Sequence, residues 1–150
     1  MTPFKKVHHI CIAVHDIERA SEYYESVGIG PWQDYGSLAQ YSDLEVPDVD
    51  GFFASVYRTA QVGDLQLQLV QPGAGSPQRR FLDEHGEGIF HIGFEVGDID
   101  ESEAQAAALR MEVLMRGRRP DGSGFAYFDT ADRAGGVVLE LRSTSAPASS

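Results

Sequence analysis

Four residues of this sequence have side chains suited to holding a metal ion together: His9, Gln68, His91 and Glu140. Imidazole nitrogens and a carboxylate oxygen bind borderline divalent ions such as Co, Ni, Mn, Zn or Fe(II). An amide oxygen adds a neutral donor, and four protein donors leave room for water or substrate. Any one of the four alone would pass for a polar residue on the wet side of a sheet. What sets them apart is that an internal repeat relates them. "HICIAVHDIE", starting at His9, aligns without a gap with "HIGFEVGDID", starting at His91, with His, Ile, Val, Asp and Ile identical. "GDLQLQL" at 63–69 aligns with "GGVVLEL" at 135–141, placing Gln68 against Glu140. The offset is 82 positions in the first match and 72 in the second, so the later copy is the same unit with a shorter middle.

Each copy opens with an alternating strand, turns at an aspartate and continues into a helix. Asp16 is the expected N-cap of a first helix that Gly28 and Gly30 stop, and Asp98 that of a second, Ala-rich helix running to about Met111. Strands are expected around 35–41, 52–58 and 65–70 in the first copy, and around 113–115, 125–129 and 137–142 in the second. Side chains alternate between the faces of a strand. If Ile10, Ile12 and Val14 face the helix, then His9, Cys11 and Ala13 face away from it. The same parity sends Ile92, Phe94 and Val96 to the helix and His91 to the other side. Leu65, Leu67 and Leu69, with Val137, Leu139 and Leu141, likewise bury under helices and turn Gln68 and Glu140 away. A curved sheet would gather the four in its hollow. His8 has the opposite parity and no counterpart, since Phe90 stands at its place in the second copy; His15 and His85 fall in expected turns and read as solvated.

Composition bounds the rest. The 150 residues suit one compact domain or two small modules sharing a core. Lys and Arg total 12 against 23 Asp and Glu, a net charge of −11 that disfavours nucleic acid and anionic membrane and leaves a small molecule or a protein as partner. The single cysteine, Cys11, excludes an internal disulfide framework and fits a reducing, cytoplasmic location. No stretch is apolar enough to span a membrane, and "MTPFKKVHHI" does not read as a secretory signal. The expected organisation is a first module over about 5–72, a linker at 73–87 with a short helical turn near Phe81 and Leu82, a second module over about 88–143, and a disordered tail at 144–150.

These residues resemble the vicinal oxygen chelate (glyoxalase/bleomycin resistance/dioxygenase) superfamily, from Val7 to about Arg142. The resemblance implies an α+β fold in which two tandem βαβββ modules form a curved half-barrel sheet with helices on the outer face. It implies a divalent metal held by His9, Gln68, His91 and Glu140. Within the superfamily, "LQLVQP", "FLDEHGEGIFHIGFEVGDID" and "GGVVLEL" resemble the methylmalonyl-CoA epimerases, the central segment most specifically. That likeness implies proton transfer alpha to a carbonyl, with Glu140 doubling as an acid/base group and Glu45, in "LEVPD", as a second one. It also implies an acyl substrate such as a coenzyme A thioester, and a homodimer.

A glyoxalase-type lyase or an Fe(II) ring-cleaving dioxygenase would use a similar set of ligands. A metal-free, antibiotic-binding protein shares the fold. Retention of all four ligands argues against the last, and the amide of Gln68 favours the isomerases over the dioxygenases. Asp129 and Thr130, where the epimerases carry a more basic turn, stand against a coenzyme A thioester. Arg79, Arg80, Arg116, Arg118 and Arg119 are available to coenzyme phosphates, but in a protein this acidic the favoured reading of them is solvated surface cations. Trp32 in "GIGPW" is expected to pack where the first helix stops.

Overall fold

The computed structural model describes residues 2–145. The elements in chain order are β1 (Val7–Ala13), α1 (Ile17–Ser26), β2 (Gln33–Asp34), a 3-10 turn (Leu38–Gln40), β3 (Asp43–Glu45), α2 (Val49–Ala54), β4 (Val56–Val62), β5 (Leu65–Gln71), α3 (Pro77–His85), β6 (Gly88–Glu95), α4 (Ile99–Ala108), β7 (Val113–Arg118), β8 (Gly124–Phe128) and β9 (Val138–Ser143). The fold is α+β. Of the tail expected to be disordered, Thr144 and Ser145 form a bend and residues 146–150 lie outside the described residues.

The chain divides into two compact units. The amino-terminal unit comprises His9–Ser37 and Pro47–Phe90; the carboxy-terminal unit comprises the residues up to His8, the segment Leu38–Val46, and the chain from His91 onward. The amino-terminal unit orders its strands β2-β4-β5-β1, with β1 parallel to β5 and β4 antiparallel to it. Helix α1 lies on one face, where Val14, Ile17 and Leu69 form a buried cluster with Ile12, Ala20, Tyr24 and Trp32 packed around it. The carboxy-terminal unit orders its strands β6-β9-β8-β7-β3, with β6 parallel to β9. There Ile99 and Ala106 of α4 pack on Ala126, Phe128 and Leu141, and Phe4 closes the cluster edge-on against Phe94 at 5.2 Å. Each fully buried aliphatic or aromatic side chain in these clusters contributes about 1.5–3 kcal/mol. Ile12, Val14 and Leu69 in one unit, and Phe94, Val96 and Leu141 in the other, face the helices as alternation assigns.

The repeat is visible in single hydrogen bonds. The Val14 amide donates to the Val70 carbonyl at 2.9 Å, and the Val96 amide to the Arg142 carbonyl at 2.9 Å. Asp16 accepts from the Arg19 amide at 3.1 Å and Asp98 from the Glu101 amide at 3.1 Å, the aspartates capping α1 and α4. A capping side chain satisfies an amide that the first helical turn leaves without an intrahelical acceptor.

Four expectations need correction. Residues 35–41 form no strand but an irregular segment with a 3-10 turn at Leu38–Gln40, and the following short strand, β3, pairs with β7 in the carboxy-terminal unit. The 52–58 stretch is split between α2 and β4. Asp48 starts α2 by accepting from the Gly51 amide at 2.7 Å, and Gly51 lies so close to the Ala74 carbonyl that a Cβ there would collide. Helix α4 ends at Ala108 rather than near Met111, because Arg110 adopts φ 63° and turns the chain so that the Met111 amide returns to the Ala106 carbonyl. The linker turn is a nine-residue helix, α3, capped by Ser76 and primed by Pro77 at its first position.

Candidate functional site

In the carboxy-terminal unit, β6 carries His91 and its parallel neighbour β9 carries Glu140. The His91 Nε2 atom lies 2.9 Å from Glu140 Oε2, with the side chains 0% and 4% exposed. Tyr127 of β8 stands opposite Glu140 in register, and its ring meets the His91 ring edge-on at 4.8 Å and 80°. A carboxylate removed from water to this degree is costly unless a donor or a cation answers it. The pair supplies what a borderline divalent ion takes, an imidazole nitrogen beside a carboxylate oxygen with little competing water. On donor chemistry it fits such an ion.

In the amino-terminal unit, His9 and Gln68 are buried on the adjacent strands β1 and β5. Cys11 stands opposite Gln68, and His9 opposite Gln66, so these four side chains share the sheet face turned away from the α1 cluster. The Gln68 Nε2 atom donates to Gln66 Oε1 at 2.8 Å. With the amide so oriented, the Gln68 carbonyl oxygen, the end a metal binds, points away from Gln66. On the opposite, helix-facing side a groove of about 570 Å³ runs past Ile12, Val14 and Tyr24, on the wrong face to serve His9 or Gln68.

The remaining histidines are not members of these pairs. His8 is half-buried in the carboxy-terminal unit. Burial, and after it the Arg142 guanidinium, push its pKa below the ordinary value, against the opposing pull of Glu95 and Glu140. His15 has an exposed ring while its amide donates to Glu87. His85, at the end of α3, stacks on Phe81 at 5.1 Å.

Glu45 is not brought to the His91–Glu140 pair. Its side chain is 69% exposed and lies 3.7 Å from Arg116, which also bonds Glu103 of α4 at 2.9 Å. The preceding Leu44 takes the other face with Phe125, the two crowding Gly117 so closely that a Cβ there would collide with both. Parity on β3 therefore turns Glu45 to the helix side.

Arg116 and Arg118 were read as surface cations, and the structure shows otherwise. Arg118 is buried. It bonds Asp100 at 2.9 Å, Glu103 at close range, and the Gly117 and Phe125 carbonyls at 3.0 and 3.1 Å. Arg119 bonds Gln40 and Ser123 and lies over the Tyr41 ring, 4.9 Å from its centre. The sequence held the signal for the first network: two arginines spaced i, i+2 on one strand face and two acids spaced i, i+3 on one helix face. Trp32 packs against the α1 cluster and donates to the Ile29 carbonyl at 3.0 Å in the turn that follows the helix.

Two units that each run βαβββ, with α2 inserted in the first and β3 added to the edge of the second, each pairing its first and last strands in parallel and each with buried donor residues on those two strands, define the architecture of the vicinal oxygen chelate proteins. Residues 8–128 match the Glyoxalase/Bleomycin resistance protein/Dioxygenase superfamily, and the chain belongs to that family. A variant of the methylmalonyl-CoA epimerase of Streptomyces coelicolor, solved in complex with 2-nitronate-propionyl-CoA, is 25% identical with a TM-score of 0.70, covering 95% of this chain and 99% of that one. A methylmalonyl-CoA epimerase in complex with methylmalonyl-CoA and NH4+ is 25% identical with a TM-score of 0.69, covering 96% and 99%. The methylmalonyl-CoA epimerase of Mycobacterium tuberculosis, 24% identical with a TM-score of 0.68 over 99% and 92%, shares the fold. The uncharacterized protein YqjC of Bacillus subtilis is 27% identical over 139 residues, 91% of this chain and 90% of that protein. Among the described residues, no helix is long and apolar enough to cross a membrane.

Proposed function

We propose that this protein is a divalent-metal-dependent epimerase or isomerase that moves a proton alpha to the carbonyl of an acyl thioester, with His9, Gln68, His91 and Glu140 as its metal ligands. The buried approach of His91 Nε2 to Glu140 Oε2 carries this reading. The repeat supports the other half, since His9 and Gln68 occupy the same strand positions and are buried. The acyl-CoA substrate is supported by the likeness to epimerases solved with coenzyme A thioesters. A divalent ion in such a site supplies the positive charge that stabilises a developing enolate.

The chain's own residues do the rest. Glu140 takes up the α-proton on its carboxylate, a role that suits a buried base close to the reacting carbon. The Tyr127 ring, edge-on to His91, shields the buried pair from water. Gln66 orients the Gln68 amide. Two reciprocal bases would complete a symmetric epimerisation. With Glu45 turned to the helix side, the return of the proton on the opposite face falls to another group, and a one-base isomerisation is equally served by this arrangement.

Loss of the α-proton signal of methylmalonyl-CoA in D2O, followed by NMR in the presence of added Co or Mn, tests the reading. Exchange that requires both the ion and Glu140 supports it. Exchange in free keto acids but in no thioester would overturn the substrate assignment and keep the proton chemistry.

A further inference from the structure

Next to Gln68, on the face opposite α1, the amino-terminal unit has a second cavity, of about 270 Å³, lined by Pro31, Gln33, Thr59, Gln61 and Gln66. We propose that this cavity is a subsite for an uncharged, amide-bearing ligand segment, namely the pantetheine arm of the acyl thioester; the assignment of the arm rests on the acyl-CoA reading above. The lining carries no charged side chain. A phosphate would find no cation there, and a hydrocarbon would strip water from several amides without replacing their hydrogen bonds, which is costly. A neutral chain with N–H and C=O groups answers both conditions.

Register makes the lining continuous with the candidate metal ligand. Thr59 of β4 stands opposite Gln68 of β5, Gln61 opposite Gln66, and Gln33 of β2 opposite Thr59. A ligand whose acyl end is held at Gln68 can therefore lay a neutral arm across β5, β4 and β2, a span of about 10 Å at the usual strand spacing. The amides are also oriented. Gln61 Nε2 donates to the Gly63 carbonyl at 3.0 Å, which leaves its Oε1 as the acceptor for a ligand N–H. Gln66 Oε1 accepts from Gln68 at 2.8 Å, which leaves its Nε2 as the donor for a ligand C=O. One acceptor and one donor are what a secondary amide requires.

The test uses pantetheine and, as the charged remainder of coenzyme A, adenosine 3′,5′-bisphosphate, each titrated into the metal-free full chain with the glutamine side-chain amides followed by NMR. Pantetheine should shift the Gln33, Gln61 and Gln66 amides while the bisphosphate leaves them in place. Gln61→Leu, at an exposed position where folding is not at stake, should weaken pantetheine about five- to tenfold, the cost of one hydrogen bond to a neutral ligand, and Gln61→Asn should recover part of the loss. Absence of these shifts, or equal shifts from the bisphosphate, would overturn the subsite. Neither measurement depends on metal or turnover. Pantetheine binding with no α-proton exchange would therefore refute the reaction and not the subsite, and exchange without pantetheine binding would do the reverse.

Discussion

The imidazole of His91 and the carboxylate of Glu140 meet at 2.9 Å on neighbouring parallel strands, both out of reach of bulk water. Parallel pairing holds the backbones, and the Tyr127 ring holds the imidazole, so the donors are preorganised and little ordering cost remains for a bound ion. Replacing the carboxylate by an amide in Glu140→Gln, or removing the ring in His91→Ala, should lower Co or Mn affinity more than about 100-fold, since changes one shell further out already cost 10–100-fold. His8→Ala, one residue from His9 but opposite in parity, should leave affinity within about threefold. Isothermal titration or the visible spectrum of the Co form measures this, and a His8 effect as large as that of His91 would show that parity had selected the wrong face.

Glu45 and Glu140 are both acidic residues on strands, and their surroundings separate them. Glu45 is solvated and engaged by Arg116, whereas Glu140 is buried beside an imidazole. Glu140→Gln should reduce α-proton exchange by about 10²–10⁴-fold, the usual contribution of a positioned general base. Glu45→Gln should change it by less than about twofold. A large loss in Glu45→Gln, at unchanged thermal stability, would place that carboxylate in the chemistry after all.

The facing of the strands that carry the candidate ligands was legible because a period of two leaves few alternatives. Once Leu69 and Leu141 are buried under helices, Gln68 and Glu140 have to face the other way. The duplicated "HI…V.DI" added what parity alone lacks, a reason to treat four scattered residues as one set. The surroundings of Glu45 were not legible for a local reason: β3 is only three residues long, too short for alternation to speak, and its partner is β7 of the carboxy-terminal unit rather than a neighbour in sequence. Helix α2 escaped because Phe52 and Phe53 look like strand residues, while the Asp48 cap that starts the helix lies four positions earlier. Arg118 was taken for a surface cation because burial of a guanidinium depends on acids from a different element, Asp100 and Glu103, which composition does not reveal.

That arginine gives a stability prediction. Arg118 is held by two carboxylates and two carbonyls, and removing it leaves Glu103, itself largely buried, short of one cation. Arg118→Ala should destabilise the protein by about 3 kcal/mol, the lower end of the cost of breaking a buried pair, because Arg116 still bonds Glu103. Denaturant unfolding measures it. Arg118→Lys should recover little, since an ammonium cannot reach carboxylates and carbonyls in the planar fork that a guanidinium offers.

In the amino-terminal unit, Glu18 of α1 is paired with Arg58 of β4, which also bonds Ser21 at 2.8 Å and lies 3.5 Å from Asp34. The hydrogen bond from Arg58 and then its charge hold the Glu18 carboxyl below its ordinary value of 4.5. A carboxyl whose pKa is lower in the folded chain than in the unfolded one binds fewer protons when folded. Its contribution is therefore complete above about 4.5 and is lost as pH falls through the depressed folded value. Glu18→Gln should flatten the fall in stability over that acidic range while leaving the profile near neutrality unchanged in shape. The side chain is 67% exposed, so the effect should be small and should shrink further in high salt. Thermal unfolding from pH 3 to 7 in the two proteins reads it directly, and an unaltered acid limb would show that the Arg58 pair does not persist in solution.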